Sequence, residues 1–330
     1  MLAEYLSVSM RIILITPAKP GSLQGNRRTA LRWARYLRGL GHDVEIAVSW
    51  RGQEHDAMIA LHARRSHSSL KAWKTAYPQR PLILVLTGTD LYRDIRSDSS
   101  AQESLLLADR LVVLQTKALE ELDPVCRAKA EVIFQSVGAH RRRDPPRSYF
   151  LVSVIGHLRE EKDPFRAALA LGQLADIGRL RVVQIGKALT PQAAAQARKL
   201  MQADRRYRWL GELDHASTLR WLARSHVMAI SSRMEGGAHV VSEAIGIGVP
   251  VIASEIPGNI GLLGKTYPGY FKVADETALA QLLRRAINRP AYLDELAAAV
   301  KARQYLVDPA TERKALAAML TSASTPSIQV

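Results

Sequence analysis

Short apolar runs, each closed by a polar, Pro- or Gly-containing turn and each separated from the next by a helix-length segment, recur along most of the chain. "RIILITP" at 11–17 is the first; "DVEIAVS", "AMIALHA", "PLILVLTG", "RLVVLQ" and "EVIFQS" follow. Runs of this kind suit strands buried on both faces, as in parallel sheets. Repeated strand–helix units then restrict the chain to an α/β architecture, with helices on both faces of a parallel sheet. The first intervening segment, "GNRRTALRWARYLRGLG", carries Asn26 as the expected N-cap. Leu31, Ala34, Leu37 and Leu40 fall at helical spacing, and Gly41 is the stop.

The alternation breaks at "RRRDPPRSY" and restarts with "YFLVSVIGH", "RLRVVQIGK", "YRWLGE", "HVMAISS" and "PVIAS". Two Rossmann-like, doubly wound domains are therefore expected, 1–146 and 147–330, the second carrying the Ala- and Leu-rich helical tail. The end of that tail has the option of packing back on the first domain. "RRRDPPR", with two prolines, reads as a solvated linker. Met10 directly precedes the first strand, so residues 1–9 read as a start-site extension. Two such domains facing one another predict a cleft at the carboxyl ends of their strands, with ligand-binding motifs immediately after strands.

Composition narrows the partners. The net charge is +15, from 46 Lys plus Arg against 31 Asp plus Glu, which favours anionic ligands. The arginines are dispersed, and the few aromatics (6%) do not interleave with them as a base-stacking platform requires, so nucleic acid is disfavoured and small phosphorylated ligands preferred. A lone cysteine, Cys126, excludes an intramolecular disulfide and a cysteine-rich metal site. With no apolar run of spanning length and no signal-peptide pattern at the start, neither membrane nor export is expected, and the location expected is cytoplasmic.

After "HVMAISS" comes "RMEGGAHVVSEAIGIG". Gly236 and Gly237 allow close backbone approach to a ligand, and the following helix presents free N–H groups. Glu235 at its mouth can accept from sugar hydroxyls. Glu243, counted as two helical turns on, would lie about 12 Å further. The pair can clasp the two ends of one nucleotide-sugar, or be two unrelated surface carboxylates. Ala238 and His239 complete the candidate cradle, although His239 can equally be a helix-surface residue. These residues resemble the E-x7-E signature of family 4 glycosyltransferases, including its "A-x3-G-x-P-V" continuation over Ala244–Val251. That resemblance implies the GT-B fold, donor-sugar hydroxyls at Glu235 and ribose at Glu243. The family's "G-R-L-x3-K" is here "G-H-L-R-E-E-K", from Gly156 to Lys162. Lys162 matches the lysine that neutralises the donor pyrophosphate; His157 replaces the usual arginine, and Arg159 is a substitute cation.

Longer stretches, among them "TPAKPGSLQGNRRTALRWARYLRGLGH", "LTGTDLYRDI", "GHLREEKDPFRAA" and "IPGNIGLLG", resemble the selenosugar synthases of selenoneine biosynthesis. The reaction this implies joins selenophosphate to the sugar of a UDP-sugar, typically UDP-N-acetylglucosamine, and releases UDP. A downstream selenoneine-forming enzyme would be the pathway neighbour. An ordinary glycosyltransferase with a hydroxyl acceptor is the alternative. The residues after the early strands fit an anionic acceptor. Asn26, Arg27 and Arg28 open the first helix, and Arg64 and Arg65 follow "AMIALHA". Arginine forks match phosphate oxygens, and either pair alone can also be a solvated face. Thr87, Thr89 and Asp90 of "TGTD" can position the acceptor or touch the donor sugar; Asp90 can instead cap a helix. His62 reads as a proton shuttle or a core histidine. With His67 it makes no convincing metal site, since a third ligand is missing, and no metal or other cofactor is expected.

Overall fold

The computed structural model describes residues 9–21 and 25–324, excepting the side chain of Ser324; the expected extension, apart from Ser9, lies outside them. The chain divides into two units, one running to Gln135 and resuming at Pro309, the other Ser136–Asp308.

The first unit is built on β1 (Arg11–Ile15), β2 (Asp43–Ala47), β3 (Ala57–Leu61), β4 (Leu82–Leu86), β5 (Arg110–Val113) and β6 (Ala130–Val132). All pair in parallel, in the order β2-β1-β3-β4-β5-β6. Successive side chains point to opposite faces, and each face has its own core. Ile12, Leu14, Ile59 and Val85 pack with Trp33 and Leu37 of the helix Gly25–Gly39. Ile13, Ile15, Met58 and Leu84 pack with Leu70 and Trp73. Two-sided burial is why these strands are apolar at consecutive positions.

The first helix differs from expectation. Asn26 lies inside its first turn, and Leu31 and Leu40 are exposed, 50% and 36%. The buried stripe is Thr29, Ala30, Trp33, Ala34, Tyr36 and Leu37. Trp33, the largest apolar surface, turns the helix towards the sheet and rotates Leu31 out. Gly41 does follow the helix, at φ +94°.

The second unit holds β7 (Phe150–Ile155), β8 (Leu180–Ile185), β9 (Tyr207–Trp209), β10 (Val227–Ile230), β11 (Val251–Ser254) and β12 (Tyr270–Phe271), again parallel, in the order β12-β11-β10-β7-β8-β9. Renumbered from its own first strand this is 6-5-4-1-2-3, the Rossmann order, whereas the first sheet has the flavodoxin-like order. Strand order reverses between β1 and β3 in the first sheet and between β7 and β10 in the second.

The boundary falls at 135/136, not 146/147. The segment read as a solvated linker is bound to the second unit, since Arg142 Nη1 and Arg143 N–H both donate to Ala223 O (2.8 and 3.1 Å), and ahead of it Val137 N–H donates to Val307 O (3.0 Å). The end of the tail, placed in the second domain with the option of packing back on the first, takes that option and belongs to the first unit. Its helix Pro309–Ser324 presents Glu312, fully buried, to Arg32 (2.9 Å) and to Trp33 Nε1 (2.7 Å), with Leu316 and Met319 in the core beside them. Among the described residues no helix is long and apolar enough to cross a membrane, and no cluster of three or more His, Cys, Asp or Glu is placed to hold a metal ion.

Candidate functional site

In the second unit the loops after β7 and β10 leave the sheet at its switch point, where open α/β sheets bind ligands. They are laced together: Arg233 N–H donates to Glu161 O (2.8 Å) and Ser231 Oγ to Asp163 O (2.7 Å). Asp163 itself sits at φ +41°, a left-handed turn unusual outside glycine, which closes the short 3-10 turn Glu160–Lys162. Lys162 Nζ lies 2.5 Å from Glu235 Oε1, which also accepts from Ser232 Oγ at 2.6 Å. Glu235 is buried (8% exposed) and Lys162 mostly so. Ser232 is fixed from behind, where Ser254 Oγ donates to its carbonyl (2.6 Å) and Asn259 Nδ2 to Ser254 O (2.9 Å). Gly258 completes the support, since a Cβ there would stand 2.1 Å from Glu235 O.

Glu235 precedes the helix His239–Ile247 by four residues, so Glu235 and Glu243 do not share a helix and the 12 Å helical spacing does not apply. Gly236 and Ala238 are buried and Gly237 half-buried in the intervening loop. Glu243, 5% exposed, accepts from His215 Nε2 at 2.7 Å, and His239 Nε2 lies 3.5 Å from the same oxygen. His239 therefore turns towards the glutamate, one helical turn on, rather than decorating the surface. His215 was missed in the sequence: it opens the helix His215–Ala223 behind the N-cap Asp214, a position with no chemical signature.

The two other cation candidates behave differently. His157 accepts from Lys187 N–H through Nδ1 (3.2 Å), joining the β7 loop to the β8 loop. Gly156 lies in that same junction, pressed so closely on Gly186 that a Cβ on the latter would be 1.9 Å from Gly156 O. Arg159 is exposed and leans on Glu161 (3.9 Å), apart from the Lys162–Glu235 pair. Lys162 is thus the cation the structure brings to Glu235.

In the first unit the switch point also collects candidate residues, from the loops after β1, β3 and β4. His62, directly after β3, is buried at φ +77°. Strained backbone positions of this kind concentrate at functional sites. Its Nδ1 accepts from Arg65 N–H (3.4 Å), which leaves the proton on Nε2, 3.3 Å from Thr89 Oγ1. Burial, opposed by Asp90 and helped by Arg65, lowers its pKa, so the ring is neutral near pH 7. Asp90 is fully buried and accepts from the N–H groups of Ala63, Thr87 and Gly88 (2.7–3.2 Å). It knits the β3 and β4 loops together, which corrects its reading as a group free to position the acceptor or touch the donor sugar. Thr87 and Thr89 flank it, half-buried.

Arg64 does not present a free fork: its Nε donates to Asp94 at 2.8 Å. Burial pulls the Asp94 carboxyl up, but the hydrogen bonds from Arg64 and Arg93 outweigh it and hold its pKa low. Arg65 is exposed, and Asn26, Arg27 and Arg28 lie half-buried in the first helical turn. His67 bonds Ser104 Oγ (3.0 Å) and Glu103 (3.2 Å), away from His62.

Two parallel six-stranded sheets with a lysine–glutamate pair at the switch point of the second, and an E-x7-E loop–helix after β10, define a sugar-transfer class of protein. The profile of the family described as "Glycosyl transferases group 1" matches residues 139–306, and the chain belongs to that family. It is 23% identical, over 298 residues, to the "Glycosyltransferase 1 domain-containing protein 1" of Xenopus tropicalis, covering 81% of this chain and 85% of that one. Among solved structures it is similar to HepE of Anabaena in complex with UDP and glucose (TM-score 0.76, 16% identity, 95% of this chain and 100% of that one). It is equally similar to the sucrose-phosphate synthase of Thermosynechococcus elongatus (TM-score 0.76, 15% identity, 94% and 97%). The architecture is the GT-B fold.

Proposed function

We propose that the protein is a selenosugar synthase, transferring the sugar of a UDP-sugar, in first place UDP-N-acetylglucosamine, to selenophosphate. The observation that carries the donor half is the meeting of Lys162 and Glu235 at the switch point of the second sheet. A bound nucleotide-sugar would separate them, its pyrophosphate taking Lys162 and its sugar hydroxyls taking Glu235. Glu243, held by His215, is assigned to the ribose, and the amides around Gly236 to the phosphates. The UDP bound to the similar HepE protein supports the choice of nucleotide.

Selenium attacks the anomeric carbon, forming C1–Se while the bond from C1 to the pyrophosphate oxygen breaks and UDP departs. Release of the free selenosugar then requires water to cleave P–Se, giving inorganic phosphate. Selenophosphate is already anionic, so the attack makes little demand on a base. The demand falls on the leaving group, where Lys162 and the loop amides supply preorganised stabilisation, and the reading assigns that charge to them rather than to a metal. The anionic acceptor is assigned to Arg27, Arg28 and Arg65, with Thr87 and Thr89 beside them. Neutral His62 passes a hydrogen bond to Thr89 and orients its hydroxyl. Resemblance to the selenosugar synthases supports this acceptor.

One observation favours a second reading, transfer to a hydroxyl acceptor: Arg64 is neutralised by Asp94, which lowers the cationic character of the first-unit loops. Incubation with UDP-N-acetylglucosamine and either selenophosphate or a panel of sugar alcohols separates the two. The expected result is a selenosugar seen by mass spectrometry, with UDP release dependent on selenophosphate. UDP release matched to a hydroxyl acceptor, with no selenium product, overturns the proposal.

A further inference from the structure

The second unit has a cavity at the opposite end of its sheet, outside the machinery described above. It lies at the amino ends of β7, β8 and β10, has a volume of about 460 Å³, and is lined by Asp144, Arg147, Tyr149, Phe150, Arg179 and His226 among others. β7, six residues at about 3.3 Å each, places it roughly 20 Å from the Lys162 loop.

Its polar groups are mostly donors. Leu151 N–H donates to His226 Nδ1 at 2.9 Å, so the imidazole proton sits on Nε2. The ring is stacked on Phe150 with centroids 4.4 Å apart, which fixes its plane. Tyr149 accepts from Arg224 Nη2 at 2.9 Å, leaving its own O–H to donate. Arg179 uses Nη2 on Ile287 O (3.2 Å) and keeps its remaining N–H groups; Arg147 is exposed at the rim. Burial first, and then the charges of Arg142 and Arg179, push His226 down to about 4, so the ring is neutral and Nε2–H is a donor near pH 7. Asp144 is the one carboxylate among the lining side chains. Donors gathered from two guanidiniums, an imidazole and a phenol match phosphate oxygens. The volume exceeds that of a phosphate alone, and a carboxylate in the wall accepts from hydroxyls.

We propose that this cavity binds a phosphorylated small molecule bearing hydroxyls, of the sugar-phosphate class, with the phosphate on Arg147, Arg179 and the His226 and Tyr149 donors and the hydroxyls on Asp144. The site is independent of the donor assignment, because it uses none of its residues.

The test is calorimetric titration of the whole chain, saturated with UDP to fill the donor site, with glucose 6-phosphate, inorganic phosphate or glucose as probes. Glucose 6-phosphate is expected to bind tighter than phosphate, and glucose not at all. Arg147→Ala and Arg179→Ala should each weaken glucose 6-phosphate by about tenfold or more, the loss of one charge-assisted contact. Arg198→Ala, an exposed arginine on the helix Pro191–Ala203, should leave it unchanged. Equal weakening by Arg198→Ala would mean general attraction to a basic surface. Absence of binding with UDP present, or insensitivity to both cavity arginines, overturns the proposal.

Discussion

Replacing Glu243 by alanine tests the ribose assignment at its most exposed point. Glu243 is 5% exposed and its Oε1 takes the His215 hydrogen bond at 2.7 Å, so the carboxylate is held before any ligand arrives. A hydrogen bond between a charged carboxylate and a ribose hydroxyl contributes about 1.5–3 kcal/mol. At about 1.4 kcal/mol per decade, its loss should raise the Kd for UDP by about 10- to 150-fold. The preorganisation argues for the upper part of that range, since no side-chain ordering is left to oppose binding. Isothermal titration with UDP and 2′-deoxy-UDP measures this and adds an internal control. The wild type should prefer UDP by a similar factor if Glu243 holds the 2′-hydroxyl, and Glu243→Ala should lose that preference. Glu235→Ala should change UDP affinity by less than about threefold while sugar transfer falls by about two orders of magnitude, as for removal of a preorganised polar group at a reacting centre. A Glu243→Ala protein with native circular dichroism and unchanged UDP affinity would refute the assignment. So would equal weakening of UDP by both replacements, which would put the nucleotide across the Lys162–Glu235 pair instead.

Two further outcomes follow from the supports of the fold and the site. Glu312→Ala leaves buried Arg32 and Trp33 Nε1 without their carboxylate, so urea unfolding should show a loss of about 3–5 kcal/mol; a loss below about 1 kcal/mol would mean that the last helix contributes little to the first unit. Gly258→Ala must push the Glu235 main chain aside, because the new Cβ would lie 2.1 Å from its carbonyl oxygen; transfer should fall by at least about tenfold, given the sensitivity of reacting groups to small misplacements, with UDP affinity kept, and unimpaired transfer would show that the loop tolerates the shift.

The central strands were legible because each is buried on two faces, and a run such as "PLILVL" has no other comfortable environment. β12 escaped notice because two residues, Tyr270 and Phe271, are too few for any period to show. The unit boundary was misread for a different reason. "RRRDPPR" has the composition of a linker, but Arg142 and Arg143 both find the carbonyl of Ala223, some eighty positions away, and no local pattern records that. The orientation of the first helix was misjudged because Trp33 outweighs Leu31 and Leu40 in apolar area, a comparison that counting apolar positions leaves out.

The site divides along the same line. Positions were readable: Lys162 and Glu235 were picked out by motif, and each follows a strand, although their contact was not foreseen. Residues whose role is set by a distant neighbour were not. Asp90 looked available until the amides of Ala63, Thr87 and Gly88 took both its oxygens, and Arg64 looked free until Asp94 faced it. His215 had no signature at all. Lys162 and Glu235 stand 73 residues apart and meet at 2.5 Å because strand order reverses between the parallel neighbours β7 and β10, so the two loops leave the carboxyl ends of adjacent strands. The E-x7-E spacing alone would place its first glutamate on a helix with the second. Strand order instead sets Glu235 in a loop against a lysine from the other half of the crevice, and it is this pairing that the proposed nucleotide-sugar would part.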